Sequence, residues 1–192
     1  MKKIEKKDII AKSFITIMEA LWLDLEDKSL KETPKRIARM YVDEIFSWLD
    51  KETYPKIMTV PNWDNETVDY NQMVIVDNIK ISTTCEHHFV PIDWVCHIAY
   101  IPNKLVMWLS KFARIVKYFS RKPQIQERLT EEIFLDLCKI LETNNVAIII
   151  KAKHFCMIAR GVEEQNCWTT TSRMWGAFKN AETRAEFYNL LR

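Results

Sequence analysis

Cys85, Glu86, His87 and His88 set a thiol, a carboxylate and two imidazoles at four consecutive positions, inside Ser82-Thr83-Thr84-Cys85-Glu86-His87-His88-Phe89-Val90-Pro91. A second cluster, Lys153-His154-Phe155-Cys156-Met157, lies far downstream. Together they hold three of the four histidines and two of the five cysteines, so the chemistry-bearing residues are concentrated in two short stretches. Thiolate sulfur and imidazole nitrogen are the usual ligands of zinc. We read the two clusters as halves of one metal site.

Spacing narrows the geometry. Cys85 and His88, three apart, can reach one ion from a turn, whereas on a strand they would face opposite ways. His87 is then left free beside the metal. His154 and Cys156 are two apart on an expected strand, hence on one face. Two arrangements with metal remain open. In one, Cys85, His88, His154 and Cys156 close a tetrahedron and zinc only braces the sheet. In the other, Cys85, His88 and Cys156 bind, and a water in the fourth position has its pKa lowered toward neutrality. His87 and His154 are then available as acid and base. A chance C-x-x-H pair with no metal is the third reading.

Basic residues accompany the clusters: Lys111, Arg114, Arg128, Lys151, Lys153 and Arg160. Lys111 and Arg114 share one helix face near its N-terminus, a position that favours anions. A solvated helix face is the plainer reading.

The elements that must position these residues follow from periodicity. Ile10, Phe14, Ile17, Met18 and Leu21 recur at helical spacing, which predicts an amphipathic helix over 3–23. Thr33-Pro34 reads as a cap and first helical residue, opening a second helix that runs to about Leu49. Residues 51–70, with Pro55, Pro61 and Asp64-Asn65, read as a connecting segment. A strand is expected over 72–82, with a bulge at Asp77-Asn78, and another over 92–101. Ser110 is expected to cap a helix running to about Ser120, which Pro123 ends. Gln124 to Glu142 carries the clearest helical face, with Asn144-Asn145 as its stop. A strand over 146–157, another over 166–178 and a helix over 182–191 complete the chain. This order predicts an α+β fold with an antiparallel sheet and helices on one face.

Composition excludes several classes. With 48% hydrophobic and 28% charged residues in 192, a packed core is expected. The net charge of +2 provides no electrostatic footprint for nucleic acid. No apolar run approaches the roughly 20 residues of a membrane span. The basic start Met1-Lys2-Lys3 is followed by Glu5, Asp8, Lys12 and Glu19 rather than an apolar signal region, so a cytoplasmic protein is expected. Five cysteines, an odd number, fit a reducing compartment better than a disulfide framework. The two glycines, Gly161 and Gly176, exclude both glycine-rich nucleotide loops. Any bound nucleotide must therefore be held by side-chain charges and non-glycine backbone.

The ordered motifs resemble one family. Thr84-Cys85-Glu86-His87-His88-Phe89 is followed by Ala99-Tyr100-Ile101-Pro102, Leu109-Ser110-Lys111, Gln124-Ile125-Gln126-Glu127-Arg128-Leu129-Thr130, Lys153-His154-Phe155-Cys156-Met157 and Arg160-Gly161-Val162. With Thr33-Pro34-Lys35-Arg36-Ile37-Ala38 and Gly176-Ala177-Phe178, the likeness to the zinc-dependent GTP cyclohydrolase I family covers residues 30 to 190. The resemblance implies a tunnelling fold over 51–192, an antiparallel sheet with two helices on one face, preceded by an N-terminal helical segment over 1–50. It implies a homodecamer of two pentamers, with sites at subunit interfaces. It also implies zinc on Cys85, His88 and Cys156, and proton transfer by His87 and His154. The implied reaction adds water at C8 of GTP, releases formate, rearranges the ribose and recloses the ring to 7,8-dihydroneopterin triphosphate. Glu127 would hold the guanine edge with Gln126 nearby, and Glu86 joins these expected substrate contacts. Lys111, Arg114 and Arg160 would hold the triphosphate, with Ser110 near the ribose. The chain departs from the pattern at Trp94, where the family often has glycine, and at Met107-Trp108, which replaces a typical Ile-Gly.

Overall fold

The computed structural model describes residues 1–49, 53–62 and 70–191. The expected Asp64-Asn65 turn lies outside them. Helix α1 (Lys3–Ala20) ends where Trp22 takes a left-handed backbone, φ 62°. Its apolar face is only partly covered. Met18 is buried, whereas Ile17 and Leu21, expected on the same face, stay exposed. The second helix is more irregular than its periodicity predicts. Glu32, not Thr33, occupies the cap position, and α2 (Thr33–Arg39) passes into a wider π turn at Met40–Ile45 and a 3-10 turn at Ser47–Leu49. This widening accompanies an aromatic cluster. Tyr41 meets Phe14, Phe46 and Phe89 at ring distances of 5.7, 5.1 and 6.4 Å. Such ring pairs stabilise beyond their burial, and Phe89 ties the N-terminal segment to the Cys85 loop.

The expected connecting segment contains a short strand, β1 (Thr59–Pro61), which pairs with β4 (Leu105–Met107). Three residues are too few to show a period, so the sequence pattern missed both. Strand β2 (Val74–Cys85) bulges between Val76 and Ile79 as expected, with Asn78 at φ 53°. It then runs three residues past its predicted end and carries Cys85 on its last position. Next come β3 (Pro91–Tyr100), α3 (Leu109–Ser120), β5 (Pro123–Gln124) and α4 (Gln126–Leu141). Trp108 rather than Ser110 occupies the α3 cap position, and its φ of −60° requires no glycine there. Glu142, left-handed at φ 51°, ends α4 before the predicted Asn144-Asn145 stop is reached.

Strand β6 (Val146–His154), the short helix α5 (Phe155–Ile158), β7 (Thr169–Met174) and α6 (Ala181–Leu190) finish the chain. The main sheet has the order β5-β2-β3-β6-β7. Its long neighbours are antiparallel, and only the short β5 pairs in parallel. The architecture is therefore α+β.

One sheet face and the two long helices form the core. Ile92, Trp94, Cys96, Ile98 and Tyr100 alternate along β3 and pack with Ile148, Ile150 and Ala152 of β6. Phe112, Ile115 and Val116 from α3, and Leu129, Ile133, Leu137 and Leu141 from α4, cover them. Each such side chain contributes about 1.5–3 kcal/mol by leaving water. On the opposite face Ala99, Ala147 and Ile149 pack against Phe178 and Phe187 of the C-terminal segment. Cover on both sides explains why Val146–Ile150 reads as a continuous apolar run. Trp94 belongs to the first core, 4% exposed, and also borders a cleft with Asp93, Val95 and Trp168.

Candidate active site

The first cluster is held by main-chain bonds around its turn. Cys85 N–H donates to Val90 O at 2.9 Å, Phe89 N–H donates back to Cys85 O at 2.9 Å, and Glu86 N–H donates to Gln124 O at 3.1 Å. Phe89 is left-handed, φ 55°, which closes the connection between β2 and β3. Behind the loop the Thr83 hydroxyl donates to Ser120 O at 2.6 Å and ties β2 to the end of α3. In this setting the Nδ1 atoms of His87 and His88 each lie 4.0 Å from Cys85 Sγ.

The second cluster arrives on a different element than its spacing predicts. Strand β6 ends at His154 and the chain turns helical at Phe155, so Cys156 sits on α5 and not on the strand face of His154. Register places His154 opposite Ile92 on β3, one strand away from Cys85. The turn brings the ligand atoms of Cys85, His88 and Cys156 within 4.8 Å of one another. A tetrahedral zinc, with bonds of about 2.0–2.3 Å, separates its ligands by roughly 3.5 Å, so small side-chain adjustments seat an ion. Burial pushes the Cys156 thiol up, the facing Cys85 adds to the rise, and Arg160 opposes it. A divalent cation between the sulfurs favours the thiolates instead.

His154 stands outside this group of three. Its Nε2 lies 2.8 Å from Oε1 of Gln126. Burial holds its imidazole below the ordinary value, with the Glu127 carboxylate acting in the opposite sense. Gln126 opens α4 and is 3% exposed, with its amide engaged by protein on every side. Glu127 is exposed on the next position.

Glu86 binds Arg128, with its other oxygen 4.0 Å from His87 Nε2. Arg128 Nε donates to Gln124 Oε1 at 3.0 Å, Gln124 donates to Glu132 at 2.8 Å, and Glu132 pairs with Lys122 at 2.6 Å. The sequence reading missed Gln124 in this role. The available signal was two glutamines at a strand-to-helix junction, and both prove to be buried polar residues.

The expected phosphate residues are placed differently. Ser110, Lys111 and Arg114 lie on the first turns of α3, and no hydrogen bond joins them to the Cys85 loop among the described residues. Arg114 lines a cleft with Asp43, Glu44, Lys117 and Arg121. Among the described residues, Lys111, Arg114 and Arg160 have no ion-pair partner, whereas Arg128 has one. Lys151 and Lys153 lie over the Trp168 ring at 5.1 and 4.9 Å.

Known proteins resemble this chain along most of its length. Residues 10–192 match the family model of GTP cyclohydrolase I. GTP cyclohydrolase 1 of Aeromonas salmonicida is 51% identical over 184 residues, covering 95% of this chain and 83% of that protein. The Haemophilus ducreyi enzyme of the same name is 50% identical over 177 residues, 92% and 79% of the two chains. That of Shewanella sp. (strain ANA-3) is 48% identical over 186 residues, 96% and 84%. Among solved structures, the archaeosine synthase QueF-Like in the apo form covers 55% of this chain and 94% of its own at TM-score 0.46 and 12% identity, a likeness too loose to bear on function. With nearly its whole length matched and its Cys-His-Cys cluster assembled, the chain belongs to the GTP cyclohydrolase I family.

Proposed function

We propose that this chain opens the imidazole ring of GTP by hydrolysis, releases C8 as formate, and recloses the rearranged product to 7,8-dihydroneopterin triphosphate. The overall balance consumes one water per GTP. The observation that carries the reading is the grouping of Cys85, His88 and Cys156, with His87 and His154 beside it, in a chain of this family. Cys85, His88 and Cys156 are the residues that would hold zinc. Bound there, zinc supplies Lewis-acid activation of water near neutral pH.

The protein side chains do the rest. His87 is exposed beside the cluster, where it can exchange protons with a bound substrate. His154, half-buried with its pKa held below the ordinary value by burial, serves as its counterpart. Glu127, next to the buried Gln126, accepts two N–H groups from the guanine edge. Lys111, Arg114 and Arg160 have no acidic partners among the described residues and are suited to the triphosphate, with Ser110 at the ribose. Within one chain no hydrogen bond among the described residues joins Lys111 or Arg114 to the Cys85 loop, which fits sites shared between subunits of a homodecamer. We assign 1–50 as a helical segment and 51–192 as the catalytic domain, in a cytoplasmic protein without nucleic-acid or membrane partners. No described helix is long and apolar enough to cross a membrane.

The test is to mix zinc-loaded protein with GTP and follow formate together with the near-ultraviolet absorbance of a pterin. Both should rise together. Bound zinc with neither product would overturn the reading and favour a purely structural metal.

A further inference from the structure

We infer that Gln126 is a positioning residue that holds His154 in its Nε2–H tautomer and leaves Nδ1 as the basic nitrogen. A carboxamide has one acceptor oxygen and one NH2 with two hydrogens. Here Nε2 of Gln126 donates to Ile150 O at 3.0 Å and to Thr169 O at 3.1 Å. Both hydrogens are therefore used, and by acceptors that have no proton to give. The reversed amide would aim its oxygen at two carbonyl oxygens, so the network fixes the orientation. Oε1, which can only accept, is left facing His154 Nε2 at 2.8 Å. That nitrogen must carry the proton.

The arrangement is rigid because it joins three elements. Gln126 is the first residue of α4, Ile150 lies on β6, and Thr169 opens β7. Thr130, one turn along, donates to Gln126 O at 2.8 Å and meets Thr171 of β7 at 2.7 Å, which pins the same turn to the same strand. Gln126 is 3% exposed, and an unsatisfied amide there would be costly. A neutral acceptor orients the ring without adding a charge beside it. With all three amide contacts taken by protein, Gln126 has no donor left for a guanine edge. Its contribution to turnover rests on His154 being a proton-transfer group as proposed above. The tautomer does not depend on that reading.

Solid-state NMR of the zinc-loaded protein carrying isotope-labelled histidine nitrogens reads the tautomer directly. Four histidines give few signals, and His154→Phe assigns the relevant pair by their loss. His154 is expected to show a protonated Nε2 and an unprotonated Nδ1. Gln126→Met keeps the volume but removes the acceptor. It should give a mixture of tautomers, with kcat for formate release lowered roughly 10–100-fold, zinc content unchanged and KM for GTP little changed. A wild-type His154 protonated on Nδ1, or a Gln126→Met protein that keeps the single Nε2–H form, would overturn the inference. Should the variant not fold, the wild-type spectrum still decides. If the wild type released no formate from GTP, the catalytic reading would fall while the tautomer remained measurable.

Discussion

Cys85 and Gln124 pair in parallel register across β2 and β5, so the strand carrying the first cysteine and the entrance to α4 form one unit. Two residues beyond Gln124, Gln126 meets His154 at the end of β6. The Cys85-His88-Cys156 cluster and His154 are thus positioned from the same junction. Its only regular structure is a two-residue strand, yet it links the sheet, α4 and both chemical clusters.

Removal of one thiol tests the cluster. Cys156→Ala leaves Cys85 and His88, and two ligands do not hold zinc as three do. Zinc content after dialysis should fall below about a tenth of an ion per chain, and formate release should fall with it. Chelation of the wild type should reproduce the loss, and added zinc should reverse it. Full metal retention by Cys156→Ala would remove that residue from the ligand set.

His87 separates an enzyme from a zinc-stabilised scaffold. Its side chain is largely exposed and makes long approaches of 4.0 Å to Glu86 and to Cys85 Sγ, with its ring edge-on to His88, so its removal costs the fold little. His87→Ala should keep zinc and melting temperature yet lower kcat roughly 100–10,000-fold, the range of a lost acid or base. Unchanged turnover would exclude a proton-transfer role for His87.

The sequence makes the long elements legible and the junctions much less so. Leu129, Ile133 and Leu137 announce α4 because one helix face is continuously apolar. The Asp77-Asn78 bulge is readable for the same kind of reason, since Asn tolerates the left-handed backbone seen at Asn78. Cys156 shows the limit. A spacing of two indicates one strand face only if the strand continues, and β6 ends at His154, where the chain turns helical. Gln126 shows another. The family resemblance implies a place for it near the substrate, but only the folded positions of Ile150 and Thr169 reveal that its amide is already occupied.

Gly176 has a definite backbone requirement. Its φ is 59°, and a Cβ there would lie 2.3 Å from Oδ1 of Asn145 and 2.8 Å from Asn144 O. Asn145 Oδ1 also accepts the Ala177 N–H at 2.9 Å, so it cannot retreat without losing that bond. Gly176→Ala should destabilise the protein by about 1–3 kcal/mol, read as a lower urea midpoint with unchanged slope. An unaltered midpoint would show that the turn relaxes freely.

His97 predicts how stability depends on pH. It lies on β3 opposite Ile149 and accepts the Asn78 N–H at its Nδ1, 3.4 Å away. Burial lowers its pKa below 6.5, Asp77 opposes that change, and Lys151 reinforces it. Above about pH 6.5 the ring is neutral in both folded and unfolded chains, and its contribution is fully present. As pH falls the unfolded chain takes the proton first, so stability declines until the folded ring also titrates. One proton accounts for at most about 1.4 kcal/mol per pH unit, and less here because the ring is partly solvated. His97→Gln keeps an acceptor for Asn78 but cannot titrate. The stability difference between wild type and variant, from urea melts at about pH 7, 6 and 5, should therefore shift against the wild type on acidification. A difference that stays constant across this range would mean that His97 has the same proton affinity folded and unfolded.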